Sequence, residues 1–291
     1  MNNGGLRYQY ARLSIAEKLI AINVAVFIVV NLLNFFLKLG GDNIVEKWFW
    51  LPEDFFDFLK QPWSIVTYSF LHGGIRHIFF NMLLLYFSGR ILLNLFGPKR
   101  FLNVYFLGVI IGGLVFLLSY NVFPVFAGSR NILLGASAGV MAVLIFVATY
   151  IPNREIRLIF FNVKLWHIAL FFILMDLIQI PTSNPGGHLA HLGGALLGYT
   201  YARQLTKGRD IGEGFSKLMD GLANLFRKKE KKPPLKTVYR NQKRNVRSTP
   251  NYDKENHQRK VDVILDKISK SGYESLSKAE KDFLFKAGKE D

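Results

Sequence analysis

Cysteine is absent from the 291-residue chain, which excludes disulfides and thiolate metal sites and leaves the redox compartment unread. Acidic residues are scarce beside basic ones: 21 Asp and Glu against 37 Lys and Arg, a formal net charge of +16. Between Lys18 and Lys38 there is no charge at all. No small-residue cleavage site follows that run, although Arg7 and Arg12 precede it, so a retained helix is expected rather than a secretory signal. No His-Glu-x-x-His run is present to supply zinc ligands together with a general base, and neither a metal nor a cofactor is expected. The chain is nevertheless half hydrophobic and 14% aromatic. Apolar content and excess base together exclude an ordinary soluble domain and fit a membrane body with basic loops and tail.

A spanning helix needs about 20 mostly apolar residues. After an N-terminal segment at 1–18, spans are expected at about 19–37, 74–95, 101–121, 133–151, 165–180 and 187–205, an all-α membrane domain over 19–205. Lys and Arg concentrate before the first span, at Lys99 and Arg100, at Arg154, Arg157 and Lys164, and in the tail. These segments share one side by the positive-inside rule, so both termini are expected in the cytoplasm. The second, fourth and sixth spans then enter from the outer face. Their first turns carry His77 and Asn81, Ser137, and His188 and His191, which places these polar groups in one layer within roughly 10 Å of that surface.

Ser137 lies in Gly135-Ala136-Ser137-Ala138-Gly139, where small residues also suit close helix packing. His191 is different, because an ionisable residue in a span is costly and marks a functional site by default. Gly194 and Gly198 follow it in a Gly-x-x-x-Gly step that strips one helix face of side chains. If the neighbour on that face is the fourth span, His191 can serve Ser137 as general base and then as general acid. His77 and Asn81, four apart, face one way and are candidate oxyanion donors with the Ser137 N–H; interhelical hydrogen bonding is the alternative reading. No carboxylate stands out as a third member, Asp176 being poorly placed on sequence position alone, so a Ser–His dyad is expected. His72 and His188 read as groups that order a turn, a water or a backbone carbonyl. His167 belongs to the interface, and His257 carries no signal.

These residues resemble the rhomboid family of intramembrane serine proteases. The match is His77-x-x-x-Asn81, Gly135-x-Ser137, and His191 with Gly194-x-x-x-Gly198, in that order over most of 60–205, with Pro62-Trp63, Thr67 to His72 and Gly89-Arg90 around them. The resemblance implies a six-span bundle of bacterial type in the inner (plasma) membrane. The implied activity is an endopeptidase that cuts transmembrane protein substrates near the outer membrane boundary. Ser137 would be the nucleophile, His191 the base, His77 and Asn81 the transition-state stabilisers, and Gly135, Gly194 and Gly198 the packing support. The fifth helix and its following loop would be the gate, with Phe80 lining the substrate entrance. The sequence departs from many relatives at Ala138, where Gly is common, and at Asn94, where an acid would pair with Arg90; it also lacks a Trp-Arg pair in the first loop. The rival function is a silent rhomboid-like binder of membrane proteins, a class that typically lacks the serine or the histidine.

Residues 206–260 are basic and read as a disordered linker, able to hold anionic lipid; no nucleic-acid module is present. Val261, Ile264, Leu265 and Ile268 have helical spacing, Ser271-Gly272 breaks it, and Ser277 with Glu280 forms a capping-box pattern. A small helix–turn–helix appendage over 261–287 is expected.

Overall fold

The computed structural model describes residues 5–37, 44–158, 161–226 and 252–288. It contains an all-α membrane bundle with two small β-ribbons. The principal helices are α1 (Ile15–Phe36), α2 (Ile75–Val122), α3 (Ser137–Tyr150), α4 (Leu165–Gln179) and α5 (Pro185–Thr206), followed by α6 (Glu213–Phe226), α7 (Tyr252–Ser271) and α8 (Lys278–Ala287). Strands β1 (Leu51–Pro52) and β2 (Ile132–Leu133) pair antiparallel, as do β3 (Glu155–Leu158) and β4 (Phe161–Lys164). By length and apolarity α1 and α2 qualify to cross a membrane; α3 and α4 are shorter apolar helices. The chain divides into two compact units, Met1–Lys228 and Lys229–Asp291.

Sequence chemistry explains the boundaries. Ser14 accepts from the Glu17 N–H at 3.3 Å while Glu17 accepts from the Ser14 N–H at 2.7 Å, a capping box that starts α1 four residues before position 19. The expected second and third spans are two arms of α2, broken at Gly97 (φ 78°) with Pro98 next, a pair that cannot continue a regular helix. The Phe101 ring lies against Gly89, twelve residues earlier, so the arms fold back on one another. The expected fourth span at 133–151 starts later. Ile132 and Leu133 are taken by β2, and Gly135 turns the chain at φ 123° before the helix begins at Ser137.

Helix α3 is the centre of the bundle. It is apolar on every side, and Ala138 to Ala148 are all buried, packed chiefly against α5 and α2. In lipid, such association rests on close packing rather than on the hydrophobic effect, so small residues at the contacts matter most. The loop before α3 is held from several directions. Gly135 N–H donates to the Tyr68 carbonyl at 3.0 Å, and the Tyr68 hydroxyl donates to the Val109 carbonyl at 2.7 Å. Glu53 accepts from the Asn131 N–H and the Ser129 hydroxyl. By contrast, α4 is loosely held: only Leu165, Ala169 and Asp176 are buried along it.

The expectation of a disordered linker over 206–260 is corrected where the residues are described: α6 occupies part of it, and α7 begins at Tyr252 rather than near 261. Composition averaged over the whole segment hid the helical spacing of Phe215, Leu218, Met219 and Leu222. The most basic run, from Arg227, lies outside the described residues. In the second unit, Ser277 and Glu280 form the capping box of α8. The Glu280 carboxyl is held down to about 2, first by a hydrogen bond from Lys267, then by the Ser277 N–H and hydroxyl.

Candidate active site

Ser137 is the first residue of α3, and His191 lies in the second turn of α5. Ser137 Oγ and His191 Nε2 are 2.6 Å apart. The reason is visible in the glycines. A Cβ on Gly194 would overlap the Ala138 carbonyl oxygen, and one on Gly198 would overlap that of Ala142, so α5 lies backbone-to-backbone on α3. Ala138, the departure noted above, is accommodated from a third helix: its methyl occupies the place where a Cβ on Gly112 would fall. Gly194→Val is therefore expected to push α5 away from α3. A displacement of about 1 Å at reacting groups costs on the order of 100-fold in rate. The measurement is the rate of covalent labelling of Ser137 beside the wild type; an unchanged rate would show that the contact does not depend on this packing.

The expectation that no carboxylate joins the pair is corrected. Asp176, on α4, is 6% exposed, and its Oδ1 lies 2.8 Å from His191 Nδ1 and 2.7 Å from His188 Nδ1. An ionised carboxylate only accepts hydrogen bonds, so both imidazoles then carry their proton on Nδ1, leaving His191 Nε2 as an acceptor toward Ser137. His188 meets Asp176 rather than a water or a backbone carbonyl. A signal for Asp176 existed in the sequence. It is a lone acid in an expected span, in the last turn of α4 and only a short loop away from His188 and His191 in the chain.

His77 also reaches the site. Its Nδ1 accepts from the Gly73 N–H at 3.4 Å, which puts the ring proton on Nε2. That Nε2 lies 2.7 Å from where a Cβ on Gly135 would stand, so the missing side chain at 135 is what lets the ring approach Ser137. The Ser137 N–H is one of the orphan donors of the α3 N-terminus, and Ala136 offers no side-chain cap to compete for them. Asn81 lines the same cavity but donates to the His77 carbonyl of its own helix at 3.0 Å. His72 packs edge-on against His77 with ring centroids 5.1 Å apart. His167 lines the far end of the cavity, away from Ser137.

A cavity of about 970 Å³ connects these groups to the flank of the bundle, between the first arm of α2 and α4. Ser137, His77, Asn81 and His191 are in its wall, with Phe80, Phe172 and Met175 toward the flank; Phe80 is 60% exposed. The Asp176, His188 and His191 donor atoms lie within 4.8 Å of one another, the group among the described residues that could hold a metal ion. However, both Nδ1 atoms converge on one carboxylate oxygen at hydrogen-bond distance, where a zinc ion would need its own ligand bonds of about 2.0–2.2 Å. The geometry is that of a shared hydrogen bond.

A family model described as a rhomboid domain matches residues 59–208, just over half the chain. The chain belongs to the rhomboid family. This rhomboid is 33% identical over 159 residues to the Arabidopsis thaliana "RHOMBOID-like protein 12, mitochondrial", covering 50% of this chain and 47% of that protein. It is 34% identical over 147 residues to the Homo sapiens "Presenilin-associated rhomboid-like protein, mitochondrial", covering 49% and 37%. The Arabidopsis thaliana "Rhomboid-like protein 16, chloroplastic" is 34% identical over 113 residues, covering 37% and 31%. The matched part thus spans less than half the length of these relatives. A second model, a family of unknown function (DUF6576), matches residues 248–287.

Proposed function

We propose that this rhomboid is an intramembrane serine endopeptidase that hydrolyses peptide bonds of transmembrane substrates near the outer membrane boundary. The observation that carries the reading is the 2.6 Å contact between Ser137 Oγ and His191 Nε2, at the wall of a cavity open at the flank of the bundle. A silent binder has no need of a hydroxyl with its acceptor already in place. Ser137 Oγ attacks the scissile carbonyl while His191 Nε2 takes the hydroxyl proton. His77 Nε2–H and the Ser137 N–H donate to the oxyanion, with Asn81 contributing its second amide hydrogen. As the intermediate collapses, the C–N bond breaks, His191 returns the proton to the leaving amine, and an ester on Ser137 remains. Water, deprotonated by His191, then hydrolyses the ester and restores the serine. Asp176 holds the Nδ1–H of His191 throughout, so the working unit is a triad rather than the dyad read from sequence.

The proposal includes six spans, counting both arms of α2 and the shorter α3 and α4. At 1.5 Å per residue α3 is about 21 Å long, against a hydrocarbon core of about 30 Å. A short central helix has its N-terminus below the surface, which suits a serine that must meet both a membrane segment and water. The loosely held α4 and the loop after it are the gate, and Phe80 lines the entrance for the substrate segment. In the proposed topology both termini lie on the side of the basic loops, which in a bacterial plasma membrane is the cytoplasm.

The direct test is covalent. Purified protein in liposomes, treated with a fluorophosphonate, is expected to carry one adduct that peptide mapping assigns to Ser137, and His191→Ala is expected to label at a small fraction of the wild-type rate. An adduct elsewhere, or equal labelling of both proteins, would sink the reading.

A further inference from the structure

Helix α6 has a feature that the proposed reaction does not use. It is held to the bundle by its polar edge, with its apolar face turned away. Asn103, one turn into the second arm of α2, donates to the Gly212 carbonyl at 3.1 Å and exchanges hydrogen bonds with the buried Ser216 hydroxyl at 2.7 and 3.0 Å. Lys99 pairs with Asp220 at 2.7 Å. Just before the helix, Asp210 accepts from Arg100 at 2.8 Å and from the Tyr201 hydroxyl at 2.5 Å. Partial burial pushes the Asp210 carboxyl up, but the hydrogen bonds from Tyr201, Arg100 and the Gly212 N–H outweigh it and hold it below the usual carboxylate range.

At 100° per residue, Leu218, Leu222 and Leu225 lie about 120–180° around the helix from Ser216. They are 59%, 44% and 78% exposed, and Met219 beside them is 39% exposed. The opposite face carries Glu213 and Lys217, paired at 2.8 Å, with Asn224. The attachment point lies at the turn where the two proposed spans of α2 leave the membrane. The two arms of α2 are apolar, fold back on one another, and meet at Gly97, where Lys99 and Arg100 mark the turn. An apolar stripe at that level, not covered by the bundle, continues the lipid-facing surface of the spans. Charge narrows the occupant further. The sequence directly after α6 runs Arg227-Lys228-Lys229-Glu230-Lys231-Lys232, opposite in sign to an anionic headgroup layer.

We infer that α6 is an in-plane membrane helix, docked on the bundle by Ser216 and Asp220, whose Leu218–Leu222–Leu225 face is covered by the lipid of an anionic leaflet. Such a helix seats its apolar face about 5–10 Å into the boundary between headgroups and acyl chains. It thereby anchors the turn of α2 and the end of α5 to one leaflet.

The absence of cysteine makes the test clean, since each introduced cysteine is the sole labelling site. Full-length Leu218→Cys, Leu222→Cys, Leu225→Cys, Lys217→Cys and Asn224→Cys carry a nitroxide and are reconstituted in phosphatidylcholine vesicles with and without phosphatidylglycerol. Collision with oxygen reports lipid, and collision with a water-soluble nickel chelate reports solvent. The expected result is an oxygen-to-nickel ratio several-fold higher at 218, 222 and 225 than at 217 and 224, rising further with phosphatidylglycerol. Equal nickel access on both faces would mean a solvated helix and overturns the proposal. Exclusion of both reagents at 218, 222 and 225, with an immobilised spectrum, would mean protein covers the face and also overturns it. A ratio indifferent to phosphatidylglycerol overturns the assignment of anionic lipid.

Discussion

Replacing Ser137 by alanine is expected to reduce cleavage of a transmembrane substrate to background, a loss of about 10⁴-fold or more in kcat. The estimate follows from what the substitution removes. The Oγ is the only atom lost, and with it goes the group that bonds the substrate carbon. The surrounding packing stays, because Ala138, Ala142, Gly194 and Gly198 make the contact between α3 and α5 without Ser137. Substrate affinity and thermal stability should therefore change little. The check is single-turnover cleavage in proteoliposomes, with binding measured separately on the same protein. Cleavage persisting within tenfold of wild type would mean that the hydroxyl is packing after all, as the Gly-Ala-Ser-Ala-Gly setting permits. Loss of cleavage with loss of the folded state would instead trace the effect to structure, and Ser137→Cys, which keeps a nucleophile of similar size, separates the two.

For Asp176→Asn, kcat is expected to fall by about 10²- to 10⁴-fold with little change in KM. The side chain keeps its shape and one oxygen, but it loses the negative charge that stabilises the imidazolium formed when His191 takes the proton. It also brings an N–H₂ group that can turn toward His191 Nδ1 and reverse the tautomer, after which Nε2 no longer accepts from Ser137. His188→Gln provides the control. His188 shares the same Oδ1 at 2.7 Å, but no hydrogen bond links it to Ser137, so its loss should cost tenfold or less. A purely structural role for Asp176, tying the loose α4 to α5, predicts the opposite pattern. Both variants would then lower thermal stability, and the rate of fluorophosphonate labelling at low temperature would be unaffected.

Much of this protein was legible in its residues because lipid imposes simple rules. Apolar length set the approximate positions of α1 to α5, since backbone groups in hydrocarbon must be paired within the helix, but gave no sign of the short helices Phe55–Lys60 and Ser64–Thr67. His77, Asn81, Ser137 and His191, expected together from their places in the spans, line one cavity, and Gly194 with Gly198 supply the reason for close approach. Less visible were features that depend on how one element meets another. Local hydropathy does not distinguish a straight helix from the fold-back at Gly97. Nor does it report that Leu133 belongs to a strand paired with Leu51. Composition concealed α6, whose apolar residues are diluted by the basic run after it.

By itself, then, the sequence determined the membrane class and pointed to the serine and histidine that stand 2.6 Å apart, because spacing and hydropathy are one-dimensional properties. Only the tertiary structure decided which carboxylate completes the site. Asp176 and His191 are 15 residues apart on separate helices, and nothing local states that α4 turns this edge toward α5. That depends on the rotation of α4 about its own axis, which is settled by neighbours on other segments: a buried acid in lipid stands where two imidazole N–H groups can meet it.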